Sequence, residues 1–439
     1  MASVSDQSSE DHQPTEIPVV HVYRSRVEQA TVQDVLNVLE GDFVEKDTGT
    51  ISQDDIKFLD VIGNGIKLNE SGHYEMFLPF REENPALPNN RSSAFARAMG
   101  LKPQLEKDPV KRGHYVTFMN DLLVKGHAEK VPEDELDKPV KWYIPHHGVY
   151  NEKKPGKIRV VFDCSARFQG ICINDVLLQG PDLINPLVGV LLRFRKGKIA
   201  LSCDIQQMYH QFHVRPCHRD YLRFLWWEDG DLTKPLKDFR MTVHIFGAAS
   251  SPGCANYGLK QAGKDNVHID EDAAQFLQQN FYVDDGLHAA DDVETAARVL
   301  KGAVKICQEV QMRLHKITSN SDELLAVFPE EERTERKPRD LGKPDKGPME
   351  RVLGLQWLTE EDVFTFTQSI KSRPATRRGM LSTVAALYDP LGFISPVVLR
   401  GRILLHQTCR DHLDWDDLLP DVMHGAWIRW LDELTALLS

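Results

Sequence analysis

Asp284 and Asp285 stand side by side in Asn280-Phe281-Tyr282-Val283-Asp284-Asp285-Gly286-Leu287-His288-Ala289-Ala290, between two short apolar runs. Asp-Gly among β-prone residues predicts a hairpin turn at Asp285-Gly286, because glycine takes the positive φ that a tight turn demands. Neighbours on a strand point to opposite faces, but at a turn that alternation breaks and both carboxylates can lean toward one place. Crowded carboxylates repel, and a divalent cation relieves the repulsion. All-oxygen ligands suit Mg²⁺, which takes one or two carboxylates plus substrate phosphates. A solvated surface turn has the same signature, so the pair needs company. Asp204 follows a second apolar run, Ile199-Ala200-Leu201-Ser202-Cys203, about 80 residues earlier. A third carboxylate beside the pair completes a site for two metal ions, one activating an attacking oxygen and one stabilising a leaving oxygen.

The elements that must position these acids follow from periodicity and punctuation. Residues 199–203 predict a buried strand that runs into Asp204. Val32–Leu39 reads as a short helix, 58–80 as mixed strand and loop, and 91–126 as helical. Trp142–His147 reads as a strand ending at a proline, and Lys153-Lys154-Pro155-Gly156-Lys157 as a basic turn leading into the strand Ile158–Asp163. Further strands are expected over 221–227 and 240–246. Asp291-x-x-Glu294 is a capping box opening a helix with an apolar face of Val293, Ala297, Leu300, Val304, Cys307 and Met312 or Leu314. Residues 329–349 read as loop, Val352–Trp357 and Val363–Phe366 as strands, and the chain from Thr376 as helices broken at Asp389-Pro390-Leu391-Gly392 and near Trp415. Asp47-Thr48-Gly49 has the tripeptide of aspartic proteases, but Glu45-Lys46 stand where such a motif needs an apolar strand.

At 439 residues and 41% hydrophobic content the chain is long enough for two or three domains with real cores. No apolar run is long enough to cross a bilayer and no secretory leader opens the chain, so an intracellular protein with no membrane partner is expected. Seven cysteines without C-x-x-C spacing predict reduced, mostly buried thiols, with no zinc site or disulfide framework. The net charge of −12 argues at first against a nucleic-acid partner, yet its distribution is uneven. Residues 1–60 carry 13 acids against 4 Lys/Arg, and residues 1–18 are polar enough to be disordered. Residues 138–200 carry 11 Lys/Arg against 4 acids, and 371–410 carry 7 against 1, whereas 411–439 carry 1 against 7. Two basic blocks in an acidic chain suit a polyanion-binding cleft; ordinary solvated helix faces would look similar.

The segments KIRVVFDCSA, INDVLLQGPDL, CDIQQMYHQ, FGAASSP, FYVDDG, LHKITSN, VLGLQW and LYDPLGFISPV, in this order from about residue 58 to the end, resemble a reverse transcriptase, specifically the polymerase of BEL/Pao-type LTR retrotransposons. The resemblance implies an α+β right hand with fingers, palm and a partial helical thumb, its palm an antiparallel sheet backed by the 292–314 helix. The implied domains are an acidic connector over 1–85, mainly fingers over 86–200, a palm over 201–360 with an insertion at about 215–240 and a primer grip, and a partial thumb over 361–439. It implies DNA synthesis from dNTPs on a primed RNA or DNA template with two Mg²⁺ ions (Mn²⁺ substituting), in the cytoplasm within a retrotransposon particle. Asp204, Asp284 and Asp285 match the metal-binding carboxylates, with the Ile205 carbonyl as a further ligand. Arg159 matches the cation that meets the triphosphate, its rigid fork suiting phosphate oxygens; simple pairing with Asp163 is the competing role. Lys157, or Lys153 and Lys154, supplies a second cation. Tyr209 matches the aromatic that excludes a 2′-hydroxyl by clash, although a core tyrosine fits the position too. Gly247 and Pro252 match the segment beneath the nascent pair, where Phe246 departs from the Gln of many relatives. Lys316 matches the acid that protonates leaving pyrophosphate, against the plainer role of a solvated lysine. Tyr282, Val283, Leu353, Gly354, Leu355 and Trp357 match primer and template contacts, and Arg373, Arg377, Arg378, Arg400 and Arg402 match a duplex-lining thumb. No ribonuclease H, integrase or protease domain is evident. A catalytically silent nucleic-acid binder and a non-enzymatic module built on the helical C-terminus are the alternatives.

Overall fold

A computed structural model describes residues 51–139, 141–151, 154–334, 349–365 and 373–438. The chain divides into Met1–Gly49 and a compact unit, Thr50–Ser439. The first, with the expected Val32–Leu39 helix and the Asp47-Thr48-Gly49 tripeptide, lies outside the described residues.

The second unit begins with α1 (Gln53–Gly65), then β1 (Lys67–Leu68) and β2 (Tyr74–Met76). The stretch expected as strand and loop therefore starts as a helix. Ser52 caps it by accepting from the Asp55 N–H, Asp54 and Asp55 complement the dipole, and Phe58 and Ile62, one turn apart, are fully buried. This helix belongs to the main core, although its sequence reads as part of an acidic connector. The next helical stretch is two helices, α2 (Arg91–Lys107) and α3 (Pro109–Val124), separated where Asp108 caps the second. β3 (Ala128–Lys130) precedes the β4 (His146–Asn151) and β5 (Lys154–Phe162) hairpin. The strand expected over 142–147 starts only after Pro145, which has no N–H to give a ladder. Before it, Trp142 and Ile144 donate singly to Asp220 and Arg223.

α4 (Ile173–Val176) and α5 (Leu187–Phe194) lead into β6 (Ile199–Ile205), then β7 (His213–Val214), β8 (Arg223–Trp227) and β9 (Leu236–Met241). β9 lies earlier than the expected 240–246, because past Met241 only Val243 pairs, with His213. α6 (Ser251–Asp265) and α7 (Glu271–Gln279) precede β10 (Phe281–Tyr282) and β11 (Asp285–Ala290). α8 (Val293–Glu309) is capped by Asp292, not Asp291, through the Thr295 N–H at 2.7 Å. Its buried face is Ala296, Val299, Leu300, Ala303, Ile306 and Cys307, so the expected Val293, Ala297 and Val304 fall at the margin. β12 (Leu314–Ser319), α9 (Asp322–Ala326), β13 (Met349–Val352), β14 (Leu355–Leu358) and β15 (Val363–Thr365) follow. The chain ends in α10 (Arg377–Ala385), α11 (Ser395–Arg410) and α12 (Asp421–Leu438), around their own core of Met380, Val384, Trp427, Trp430 and Leu434.

The result is a mixed α/β fold with small sheets. Its central sheet runs β10-β11-β6-β12, every pair antiparallel. Leu201, Cys203 and Ile205 face α8, while Ala200 and Leu287 on the other face pack against α5 and β14. Strand period two thus splits one apolar run between two cores. All seven cysteines are free, with only Cys217 and Cys409 exposed. No described helix is long and apolar enough to cross a membrane.

A second sheet, β3-β9-β8, is tied by buried charge. Arg223, with no exposed surface, donates to Asp220 at 2.7 Å and to the Glu135 and Leu136 carbonyls at 2.6 and 3.1 Å. Arg240 reaches the same carboxylate at 3.1 Å. Breaking such a pair leaves an uncompensated charge in low dielectric. Asp220→Ala should therefore cost about 3–5 kcal/mol in urea unfolding at pH 7; a loss below about 1 kcal/mol would show the network to be dispensable.

Candidate active site

The site is built by strand register. Asp285, first residue of β11, lies directly opposite Asp204 on β6. Opposed residues of an antiparallel pair share a face with Cβ atoms about 4.5–5.5 Å apart. Asp284 precedes them, its carbonyl accepting the Ile205 N–H at 2.9 Å. This bond ties the acidic turn to the end of β6. The Ile205 side chain is buried in the α8-side core.

The turn differs from its expected place. Tyr282 pairs with Asp285, so the two-residue turn is Val283-Asp284, and the left-handed residue is Val283 at φ 58°. A β-branched residue there is strained, by about 1–3 kcal/mol, and persists only where the surroundings over-determine it. Gly286 sits inside β11, and a Cβ there would lie 2.5 Å from the Phe281 ring. Its glycine serves close packing, not a positive φ.

Burial pushes the Asp285 carboxyl up to about 6, with the Asp284 and Asp204 charges adding to the shift. Burial also raises Asp284, reinforced by Asp204 against an opposing pull from its own backbone N–H and Lys316. The three carboxylates are therefore within electrostatic reach of one another. Asp204 is held from β12 on both oxygens. His315 Nε2 lies 2.8 Å from one, and Lys316 Nζ donates to the other at 2.8 Å. His315 faces Asp204 across the β12–β6 ladder. The sequence marks Lys316 but not His315, whose contact depends on that register.

The donor set suits a hard divalent cation: three neighbouring carboxylates, two of them raised by burial and mutual repulsion. Among the described residues, however, no group of three or more His, Cys, Asp or Glu is gathered at metal-ligating spacing. Asp204 is engaged by His315 and Lys316 instead.

Tyr209 lies on the turn after Gln207, and its ring stacks at a tilt on Phe246 with centroids 4.4 Å apart. Burial raises its hydroxyl pKa, with a contribution from the Asp284 charge, so the ring stands near the acidic turn. Phe246 is 59% exposed. Gly247 has φ 101°, and a Cβ there would meet the Phe162 carbonyl at 2.9 Å. Asn174, a residue not singled out from the sequence, staples this loop by donating to the Gly247 carbonyl and accepting from the Ala249 N–H, each at 2.9 Å. Pro252 lies in the first turn of α6 just beyond.

Val352–Trp357, expected as one strand, is a hairpin whose two-residue turn is Leu353-Gly354 at φ 48° and 89°. Two successive positive φ values match the right-handed twist of the flanking strands. Leu355 and Trp357 pack with Ala200 and Leu287, which share the sheet face of Asp204 and Asp285 by alternation. A Cβ at Gly354 would lie 2.8 Å from the Tyr388 ring. Burial raises the Tyr388 hydroxyl, and Tyr282 adds to the shift, which brings Tyr282 to the same corner.

Lys316 is the basic residue in contact with these carboxylates. Arg159 is exposed on β5 opposite Val149, and among the described residues it has no ion pair. The expected Asp163 partner is held by Arg97 at 3.3 Å. Lys153 and the side chains of Lys154 and Lys157 lie outside the described residues. Of the five C-terminal arginines, four bind their own segment: Arg378 forks onto Asp416 at 2.8 and 3.1 Å, Arg400 pairs with Glu433, Arg377 donates to the Leu413 carbonyl, and Arg373 meets Ser382. Local acids, which the segment's charge count foreshadows, satisfy two of these cations.

Residues 376–438 match the family model described as Pao retrotransposon-like RNaseH-like domain. This overturns the expectation that no ribonuclease H segment is evident. That expectation sought a second carboxylate constellation, whereas the matching segment is a three-helix unit with its own core. Solved structures of the foamy viral protease-reverse transcriptase are similar to the chain. The dRH form with double-stranded DNA is 15% identical at TM-score 0.46, covering 72% of this chain and 46% of that one. The complex with an RNA/DNA hybrid is 15% identical at TM-score 0.45, covering 82% and 39%. The complex with dsDNA is 16% identical at TM-score 0.45, covering 73% and 55%. The chain thus spans about half or less of the length of these proteins. No curated protein matches it. Its C-terminal segment relates this chain to the Pao retrotransposons.

Proposed function

We propose that the chain is a right-hand polymerase fragment that extends a DNA primer on an RNA or DNA template. The observation carrying this reading is the direct register of Asp204 with Asp285, beside Asp284 on a strained turn. The primer 3′-oxygen attacks the α-phosphorus of a dNTP, forming one P–O bond and breaking the α–β bridge, and pyrophosphate leaves. When bound, two Mg²⁺ ions, or Mn²⁺, neutralise charge on the transferring phosphate and activate the attacking oxygen. Asp204, Asp284, Asp285 and the Ile205 carbonyl would hold them. Arg159 and a lysine of the β4–β5 hairpin receive the triphosphate, Lys316 supplies a proton to pyrophosphate, and the Leu353-Gly354 turn supports the primer. Such transfer leaves little covalent chemistry to the protein; positioning and charge neutralisation dominate.

The test is extension of a labelled DNA primer on RNA by the purified chain with Mg²⁺ or Mn²⁺. A catalytically silent nucleic-acid binder is the second reading, favoured by the engagement of both Asp204 oxygens. It predicts steeply salt-dependent primer–template binding without incorporation.

Tyr209, braced by Phe246, is the sugar gate in this reading. Tyr209→Val should lower the preference for dNTP over rNTP by about tenfold or more, the scale of one lost steric contact in a pocket. The ratio of kcat/KM values measures it, and an unchanged ratio removes Tyr209 from this role.

A further inference from the structure

His315 and Lys316 are consecutive on β12, yet both reach Asp204, at 2.8 Å each. On a regular strand their side chains would leave opposite faces. Here the register with β6 shifts between His315 and Thr318, and Lys316 adopts φ 52°. A bulge of this kind re-aims side chains at the cost of ladder pairing. The chain beyond α9 holds the bulge from outside. Thr334 donates from its N–H to the Ile317 carbonyl and from Oγ1 to the Lys316 carbonyl, both at 3.0 Å, and Thr318 reaches Thr334 Oγ1 at 2.7 Å. A strained residue persists where its surroundings over-determine it, and here one contact falls on Lys316 itself and two on the residues that follow it. The bulge serves packing as well: Leu314 and Ile317, three residues apart, both enter the α8-side core, which a regular strand would not allow.

We infer that this bulge is a clamp that occupies Asp204 and competes with divalent cations for it, His315 being the half that must let go. An ionised carboxylate only accepts, so His315 donates through Nε2, and that oxygen cannot serve a cation while the bond persists. The Lys316 side chain is more than half exposed, so water can replace its contact, whereas the His315 side chain is 19% exposed. The clamp keeps an acidic cluster compensated until substrate and cation arrive together. This inference rests on the carboxylate site proposed above and adds a residue that acts against cation binding, whereas an orienting histidine would aid it.

Mn²⁺ binding to the full chain, followed by electron paramagnetic resonance of the free ion, separates these roles without any turnover. His315→Ala should bind Mn²⁺ about tenfold tighter or more, the scale of one hydrogen bond to a charged group. His315→Asn, too short to keep the contact, should behave alike and stands in if the alanine variant loses its circular dichroism. Unchanged or weaker binding in the folded variant overturns the clamp while leaving the carboxylate site intact. If the parent chain shows no saturable Mn²⁺ binding that Asp285→Asn removes, the carboxylate site fails and the clamp with it.

Discussion

Asp284→Asn is expected to lower dNTP incorporation on a primed RNA template by at least about 10²–10³-fold, the cost of losing one preorganised group facing developing charge, while primer–template binding persists. The substitution is nearly isosteric. The contact that seats the turn uses the Asp284 backbone carbonyl, which accepts from the Ile205 N–H, so the hairpin should survive. What disappears is one of three neighbouring carboxylates, the one proposed above as a metal ligand on the turn. Binding should persist because phosphate contacts come from dispersed cations and not from this turn. Primer extension beside a salt-titrated binding assay gives both readouts. Incorporation at a tenth of the parent rate or above would rule out the site.

Acid should unfold the main unit well above the pH at which carboxylates usually protonate. His127, His210 and His244 are buried, at 8%, 9% and 1% exposure. Among the described residues neither ring nitrogen of His244 has a hydrogen-bond partner, nor has Nδ1 of His127 or His210. Burial is the main cause that holds His127 and His244 at about 4 and His210 at about 3, with His127 and Lys125 adding repulsion at His210. The folded pKa values lie below the unfolded value of about 6.5. Neutral rings stabilise nothing extra above that value, but between about pH 6.5 and 4 the unfolded chain takes up protons that the folded chain refuses. Each group then costs about 1.4 kcal/mol per pH unit, roughly 4 for the three together. Two units of acidification approach the whole stability of a typical domain, about 5–15 kcal/mol. Burial holds His146, His213 and His218 at about 4 as well, so the urea midpoint should fall steeply from pH 7 to 5, and His244→Phe should flatten the slope by about a sixth. Equal midpoints at the two pH values would refute the account.

Several of these features were legible in the residue order for physical reasons. An unbroken apolar run ending in Asp204 is a strand wherever it lies, and residues 199–205 form β6. The helical character of 91–124 and 377–438 follows from local spacing, with the breaks at Asp389–Gly392 and near Trp415, whereas the break at Asp108-Pro109 appears only in the structure. Others were not. Asp-Gly pointed to a turn two residues too late, because glycine can be demanded by a positive φ or by a neighbour's ring, and at Gly286 the Phe281 ring decides. Val352–Trp357 carries no Asn-Gly or Asp-Gly signal, so its turn at Leu353-Gly354 is invisible without the partner strand. The C-terminal segment is built of helices and carries no acidic constellation, so nothing in its residue types marks its relation to a ribonuclease H-like family.

By itself the order of residues determined which side chains can bear charge, which runs must be buried, and that three acids end or follow apolar strands. Those are local properties, set by side-chain chemistry and a period of two. The tertiary structure alone decided that Asp204 faces Asp285, that Val283 bears the strain of the turn, and that His315 and Lys316 occupy Asp204. Register between strands about 80 and 110 residues apart depends on which faces two separate cores bury and on where one bulge shifts the ladder. No local pattern encodes that choice.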